Sequence, residues 1–191
     1  MISGAVLAGG MSRRYGRNKA IEVFRGQRLI DLGVETLRSF CDPVFVVAND
    51  LSPYCDLNAT LIQDILPAQG PLGGIYTALL FSPHEWVFVR ATDMPFLMQD
   101  LPRYMCETRQ GHDAVVPIYN SLYEPLLALY HRRCIGPIAT MLEKGERKIT
   151  RFFQGLRIKI IDEPEWRPFD PKGLSFINVN TPEDWGRIEW I

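Results

Sequence analysis

The stretch Ile2-Ser3-Gly4-Ala5-Val6-Leu7-Ala8-Gly9-Gly10-Met11-Ser12-Arg13-Arg14-Tyr15-Gly16-Arg17-Asn18-Lys19 decides how the chain reads. Its first part is a short apolar run that fits a buried strand over 2–8, and it stops at two glycines. Glycines at a strand end let the backbone approach a ligand and aim several N–H groups into one concavity, which suits phosphate. A glycine pair in that place is commonly a tight turn and nothing more. Here Arg13, Arg14, Arg17 and Lys19 follow at once, forked and mobile cations within reach of the same anion. The spacing is neither GxGxxG nor GxxxxGK[ST], so the dinucleotide fingerprint and the Walker loop are both absent. The reading is a phosphate-binding loop of another kind.

Beyond the loop, short β-branched runs alternate with helix-like stretches, the pattern of an α/β layered sheet. Strands are predicted over 2–8, 44–48, 60–63, 86–90, 113–117, 156–161 and 176–179. Helices are predicted over 29–40, 73–80, 101–109, 126–133, 135–143 and 182–189. The runs VFVVA and VFV are apolar throughout, as in parallel strands covered on both faces. Residues 163–173 hold three prolines and read as a surface excursion before the last strand.

The 191 residues suit one domain, and 47 % hydrophobic with 23 % charged is ordinary globular composition. With 21 basic and 22 acidic residues the net charge is −1, which argues against a dedicated nucleic-acid or membrane-surface binder. No apolar run reaches the roughly 20 residues of a spanning helix, and the start lacks the basic region of a signal peptide. The four cysteines form no CxxC and no ligand spacing, so reduced thiols are expected. A soluble cytoplasmic protein is the expectation.

Charge is unevenly spread. Residues 12–28 carry six cations against Glu22, and residues 144–159 carry six against Glu146. Such a run is ordinarily a solvated face. The first run, however, follows directly on the glycine turn, and the second surrounds Gly145. In Gln69-Gly70-Pro71-Leu72-Gly73-Gly74-Ile75 the Gly-Pro pair sets a turn. The next two glycines permit close approach either to a base or ribose or to a neighbouring strand. Asp93 follows strand 86–90 at the carboxyl edge of a parallel sheet, where ligands bind at a switch in strand order. A lone aspartate at a strand end is also a common turn or cap residue. Asn178 and Asn180 alternate, so a strand would point both amides to one side. Thr181-Pro182-Glu183-Asp184 is a strong helix start in its own right. His84, His112 and His131 read as surface or helix residues, and no nucleophile stands out.

LAGGMSRRYGRNKA resembles the LAGGxSxRMGxDK signature of the Rossmann-like nucleotidyltransferases, which join a nucleotide to a phosphorylated acceptor. The resemblance implies a three-layer α/β/α fold with a mostly parallel mixed sheet. It also implies a single domain over 1–191, its nucleotide half about 1–100 and its acceptor half about 101–191. Leu7, Ala8, Gly9, Gly10, Arg14 and Lys19 then fall at the triphosphate. Two positions depart from the signature: Tyr15 replaces methionine, and Asn18 replaces an aspartate whose charge could orient the lysine. Gly70-Pro71 matches the GPLxGI element, Asp64 matches a nucleotide-contacting aspartate, and Asn49 could read a guanine edge. The family pattern often also places an asparagine where this chain has Val47. Asp93-Met94-Pro95-Phe96 resembles the motif whose aspartate holds Mg²⁺, and Asn178 and Asn180 resemble a closing motif near metal and acceptor.

Within that superfamily, Glu124-Pro125-Leu126-Leu127-Ala128-Leu129-Tyr130 and the stretch from Leu142 to Lys148 resemble the molybdenum-cofactor guanylyltransferases of the MobA type. The implied reaction transfers GMP from GTP to the terminal phosphate of Mo-molybdopterin and releases pyrophosphate. Lys19, Asp93 and Arg14 are the implied catalytic set, Mg²⁺ the cofactor, and Arg147 and Lys148 join the two asparagines at the acceptor. Transient contact with molybdenum-insertion proteins and apo-molybdoenzymes is implied, with no role for nucleic acid or membrane. Two other readings share these motifs: a relative using CTP or another phosphorylated acceptor, and a non-catalytic GTP-binding adaptor.

Overall fold

Strand β1 (Ser3–Leu7) is buried along its whole length and has parallel partners on both sides. The computed structural model describes residues 1–8 and 18–179, so the loop at 9–17 and the predicted helix over 182–189 lie outside the described residues. After β1 comes a small hairpin of β2 (Val23–Phe24) and β3 (Gln27–Arg28), which leads into α1 (Leu29–Arg38). Then follow β4 (Val44–Ala48), β5 (Thr60–Gln63), α2 (Pro71–Phe81), β6 (Trp86–Ala91) and α3 (Asp100–Glu107). The second part runs β7 (Ala114–Tyr119), β8 (Leu122–Tyr123), β9 (Leu127–His131), α4 (Ile135–Glu143), β10 (Ile158–Ile161) and α5 (Glu163–Trp166).

The main sheet has the order β10-β7-β9-β6-β1-β4-β5, with β8 pairing β7. β9 runs antiparallel to both its neighbours, and the pairs β1–β4, β1–β6, β4–β5 and β7–β10 are parallel. Strand order therefore reverses at β1, with β4 and β5 on one side and β6 on the other. Side-chain alternation divides the core into two faces. Val6, Val46 and Phe88 pack with α1, α3 and α5, whereas Ala5, Leu7, Phe45, Val47, Val87 and Val89 pack with α2 and α4. That gives three layers, as the family resemblance implies.

Two predicted elements are corrected. Residues 126–133, read as a helix, form β9 and a short 3-10 turn. Leu127, Ala128, Leu129 and Tyr130 are all fully buried, because β9 is covered on both faces. A run that is apolar on every side carries no period to separate helix from strand, and Pro125 holds the preceding residue extended. Residues 176–179 are not a strand: Leu174–Phe176 is a 3-10 turn followed by irregular chain. The buried Asp170 carboxylate accepts from the backbone N–H of Leu174 (2.9 Å) and Ser175 (2.7 Å), and this local bonding overrides the strand pattern.

The excursion at 163–173 is less superficial than its prolines suggest. Trp166 is buried, donates from its ring nitrogen to the Ile118 carbonyl at 2.9 Å, and meets Phe176 edge to face. His131 is also corrected: it is a buried strand residue set edge-on to Trp86, and burial pushes its imidazole toward the neutral form. Among the described residues no helix is long and apolar enough to cross a membrane.

The amino edge of the sheet is tied by Asp113, just before β7. Its carboxylate accepts from the Arg157 backbone N–H (3.0 Å), the Arg157 guanidinium (3.2 Å) and Arg133 Nε (2.6 Å). Hydrogen bonds from Arg157, joined by Arg133, hold the carboxyl well below the usual range. A carboxylate with a depressed folded pKa contributes stability above its unfolded pKa, and that contribution fades as pH falls below about 4. Asp113→Asn is therefore expected to cost about 1–3 kcal/mol at pH 7. Urea unfolding at pH 7 and pH 3 checks this: the gap between variant and parent should narrow at pH 3, and an equal gap at both pH values contradicts it.

Candidate active site at the carboxyl edge of the sheet

The carboxyl ends of β5, β4, β1 and β6 are neighbours, so Asp64, Asn49, Ala8 and Asp93 follow one another along a single edge. Three strand spacings separate the first from the last, about 14 Å. Strand order reverses toward the β6 end of this edge, between β1 and β6, which is where ligands of open α/β sheets bind.

At that end Lys19 Nζ stands 3.3 Å from Asp93 Oδ2, and both side chains keep about a fifth to a quarter of their surface exposed (21 % and 25 %). Lys19 opens the 3-10 turn Lys19–Ile21, whose cap is Asn18. The Asn18 carbonyl accepts from the Ala20 backbone N–H at 3.0 Å, while its amide donates to the Tyr54 hydroxyl at 2.8 Å. Tyr54 is buried, and its hydroxyl lies 3.3 Å from the Ala8 carbonyl that ends β1. An aspartate at position 18 could not donate to Tyr54. It would take the hydroxyl hydrogen itself and would compete with Asp93 for the lysine.

Asp93 is held from several sides. Met94 anchors the turn in the core, the Asp93 carbonyl accepts from the Val179 backbone N–H at 2.8 Å, and Phe96 meets Phe24 of β2 edge to face. Below lies Arg90, fully buried at the end of β6, whose guanidinium donates to the Ala91 carbonyl (Nε, 3.4 Å) and through Nη2 to the Met94 carbonyl. Burial pushes Arg90 down to about 10, with the nearby Asp93 acting the other way, so it is charged at neutral pH.

At the other end, one carboxylate oxygen of Asp64 serves local structure. Its Oδ1 accepts from the Leu66 N–H (3.1 Å) and the Thr77 hydroxyl (2.8 Å), which ties the loop after β5 to α2. The glycines of α2 answer the choice left open by the sequence. A Cβ at Gly73 would come within 2.9 Å of the Leu66 carbonyl, and one at Gly74 within 3.2 Å of Leu7. Both glycines serve protein packing. Gly70 and Pro71 form the entry to α2, and Asn49 is exposed at the end of β4. Ala8 also uses its polar backbone internally, donating its N–H to Val47 at 2.9 Å. Gly9, Gly10, Arg14 and Asn180 lie outside the described residues.

The second basic run is dispersed. Arg147 Nε donates to Gln69 at 3.1 Å, beside the Gly70-Pro71 turn, and Lys148 is exposed next to it. Arg151 pairs with Glu146, Lys159 with Glu165, and Arg157 belongs to the opposite edge with Asp113. Asn178 is exposed and adjoins Val179, which reaches Asp93, but no strand aligns it.

No three His, Cys, Asp or Glu side chains cluster among the described residues, so an all-protein metal cage is not the arrangement. An accessible carboxylate such as Asp93 fits Mg²⁺, which uses one or two carboxylates and takes its remaining ligands from water and substrate. Residues 4–159 match the family described as the MobA-like NTP transferase domain. The chain belongs to that family. A molybdenum cofactor guanylyltransferase from Desulfosudis oleivorans is 38 % identical over 190 residues, covering 98 % of this chain and 94 % of the relative. A probable molybdenum cofactor guanylyltransferase from Carboxydothermus hydrogenoformans is 33 % identical, covering 96 % and 93 %. The crystal structure of molybdopterin-guanine dinucleotide biosynthesis protein A from Archaeoglobus fulgidus superposes with a TM-score of 0.84 at 29 % identity, covering 97 % and 95 %.

In this MobA-like transferase, the sequence reading missed the roles of Arg90, Tyr54 and Glu124. Glu124 stood inside a motif, yet reading 126–133 as a helix hid its position. With β9 antiparallel to β6, the Leu126 carbonyl accepts from Ala91, and Glu124 comes to lie at the same edge as Asp93. Burial, with the Asp93 charge adding to it, pushes the Glu124 carboxyl up to about 7. A folded pKa raised above the unfolded value of about 4.3 means that stability is lost as pH rises through this window. Without divalent cation, Glu124→Gln is expected to melt about 2–4 °C higher than the parent at pH 8 and equally at pH 5. Thermal melts at the two pH values decide it, and no gain at pH 8 contradicts the assignment.

Proposed function

We propose that this MobA-like transferase is a molybdenum cofactor guanylyltransferase: it moves GMP from GTP to the terminal phosphate of Mo-molybdopterin and releases pyrophosphate. The observation that carries the reading is the Lys19–Asp93 pair, set where strand order reverses beside the end of β1. It supports a site built to receive a triphosphate together with a cation. The names of the full-length relatives supply the base and the acceptor.

The acceptor phosphate oxygen attacks the α-phosphorus of GTP in line with the departing pyrophosphate. Both reactants are polyanions, so the chain's task is neutralisation and alignment. Lys19 brings its ammonium to the phosphates, and Arg14 with the backbone of Gly9 and Gly10 holds the leaving pyrophosphate. Leu7 and Ala8 deliver that loop from β1. Asp93 would hold Mg²⁺, which would supply stabilisation of the charge that develops on the phosphates. Asn49, Asp64, Gly70 and Pro71 line the base and ribose end. Arg147, Lys148, Asn178 and Asn180 receive the acceptor, dividing the chain into a nucleotide half and an acceptor half. A phosphate dianion is already a nucleophile near pH 7, so no general base is required. The enzyme works in the cytoplasm and meets molybdenum-insertion proteins and apo-molybdoenzymes to hand on its product.

Thermal shift with GTP, CTP, ATP and UTP, each with Mg²⁺, tests the base. GTP at 100 times its Kd should stabilise the protein by about 2.7 kcal/mol, and a selective response to CTP would move the function to the cytidylyl branch. Asp93→Ala should keep the fold and lose about 100-fold or more in turnover. Lys19→Ala should weaken GTP binding and turnover together. Near-normal turnover in Asp93→Ala would remove the metal assignment.

A further inference from the structure

Arg90 occupies a position where an apolar side chain would be expected. Its strand neighbours Trp86, Val87, Phe88 and Val89 are all core residues, and Arg90 itself has no exposed surface. It pairs across the sheet with Val6 and lies under α1 on the face that holds Val6 and Phe88. Gly33 of α1 lies close by: a Cβ there would sit 3.2 Å from Val6 and 4.0 Å from Arg90 Nε, so the helix packs tightly on Val6 and within contact distance of the guanidinium. Burying a guanidinium is unfavourable unless its charge and its donors are answered. Two donors are answered by backbone carbonyls, Ala91 and Met94, while Nη1 finds no hydrogen-bond partner among the described residues. Those two carbonyls bracket the short turn that carries Asp93, and the Asp93 carboxylate is the negative charge that Arg90 senses.

We propose that Arg90 is a positioning residue for Asp93: its guanidinium fork ties the turn at 91–94 by both ends and so fixes the direction from which the carboxylate meets a divalent cation. The inference rests on the reading of Asp93 as the metal ligand. A fork is suited to this task because its donors keep a rigid mutual geometry, which an ammonium on a flexible stem does not. Outer residues that orient a metal ligand commonly change metal affinity about 10–100-fold when removed. A residue serving only to fill the core would leave that affinity untouched, and one acting only as a nearby positive charge would weaken cation binding, so its removal would tighten it.

The test measures Mn²⁺ binding to the full chain with GTP present, by electron paramagnetic resonance, for the parent, Arg90→Met, Arg90→Lys and Asp93→Ala. Circular dichroism and melting check each fold, and the Mg²⁺ needed for half-maximal turnover is recorded alongside KM for GTP. Arg90→Met should bind Mn²⁺ about ten-fold more weakly or worse and need correspondingly more Mg²⁺, with KM for GTP at saturating Mg²⁺ unchanged. Arg90→Lys, which keeps the charge but loses the fork, should fall between the parent and Arg90→Met. Parental or tighter Mn²⁺ binding in folded Arg90→Met overturns the proposal. Where Arg90→Met does not fold, parental binding in Arg90→Lys overturns it instead. Asp93→Ala separates the two layers of the argument. Unchanged Mn²⁺ binding there sinks the metal reading itself, whereas loss there with parental binding in the Arg90 variants sinks the positioning role alone.

Discussion

β1 is hydrogen-bonded in parallel to β4 on one side and β6 on the other, and this double pairing dictates where chemistry can occur. A strand so placed has no free edge, and its residues are buried on both faces. Because β4 leads outward to β5 while β6 lies on the opposite flank, strand order reverses at β1, and the carboxyl edge between β1 and β6 is where such a sheet forms its crevice. Lys19 returns to that crevice from one connection and Asp93 enters it from the other. The ion pair is thus a consequence of strand order before it is a feature of any single loop.

Much of this was legible from residues alone, for physical reasons that also explain the failures. The runs at 44–48 and 60–63 match β4 and β5 residue for residue, because apolar strands with clear turn residues at their ends leave little choice. Asp93 was marked by its place after such a run. β9 was misread because burial on every side erases periodicity, and that one error concealed Glu124. Arg90 was invisible for the opposite reason: a lone arginine at the end of an apolar run reads as the point where the strand meets water. The basic run at 144–159 is continuous in sequence but divided in space. β10 carries Arg157 at its amino end to the edge far from the site, while Arg147 turns back to Gln69.

The departure at Asn18 gains a physical account in the same way. Tyr54 needs a donor, and the Ala8 carbonyl at the end of β1 needs a hydrogen. A neutral amide at position 18 meets the first need and leaves the tyrosine able to meet the second. It also adds no carboxylate at position 18, next to the lysine that meets Asp93. The signature's charge is thus replaced by a hydrogen-bonded brace between Asn18 and Tyr54.

The distribution of electrostatic satisfaction argues for the same edge. At the amino end of the sheet, the Asp113 carboxylate is well supplied with donors from Arg157 and Arg133, and its charge is favoured. At the carboxyl end, burial drives Arg90 down to about 10 and Glu124 up to about 7, each with Asp93 in its field. Both groups are held in surroundings that disfavour their charges, and an apolar pair of similar size would suit the core better. Sequences conflict with stability in this manner mainly where a site is being built. The disfavoured charges at the carboxyl edge therefore mark the place where a site is built, and the satisfied carboxylate at the amino edge marks a structural tie.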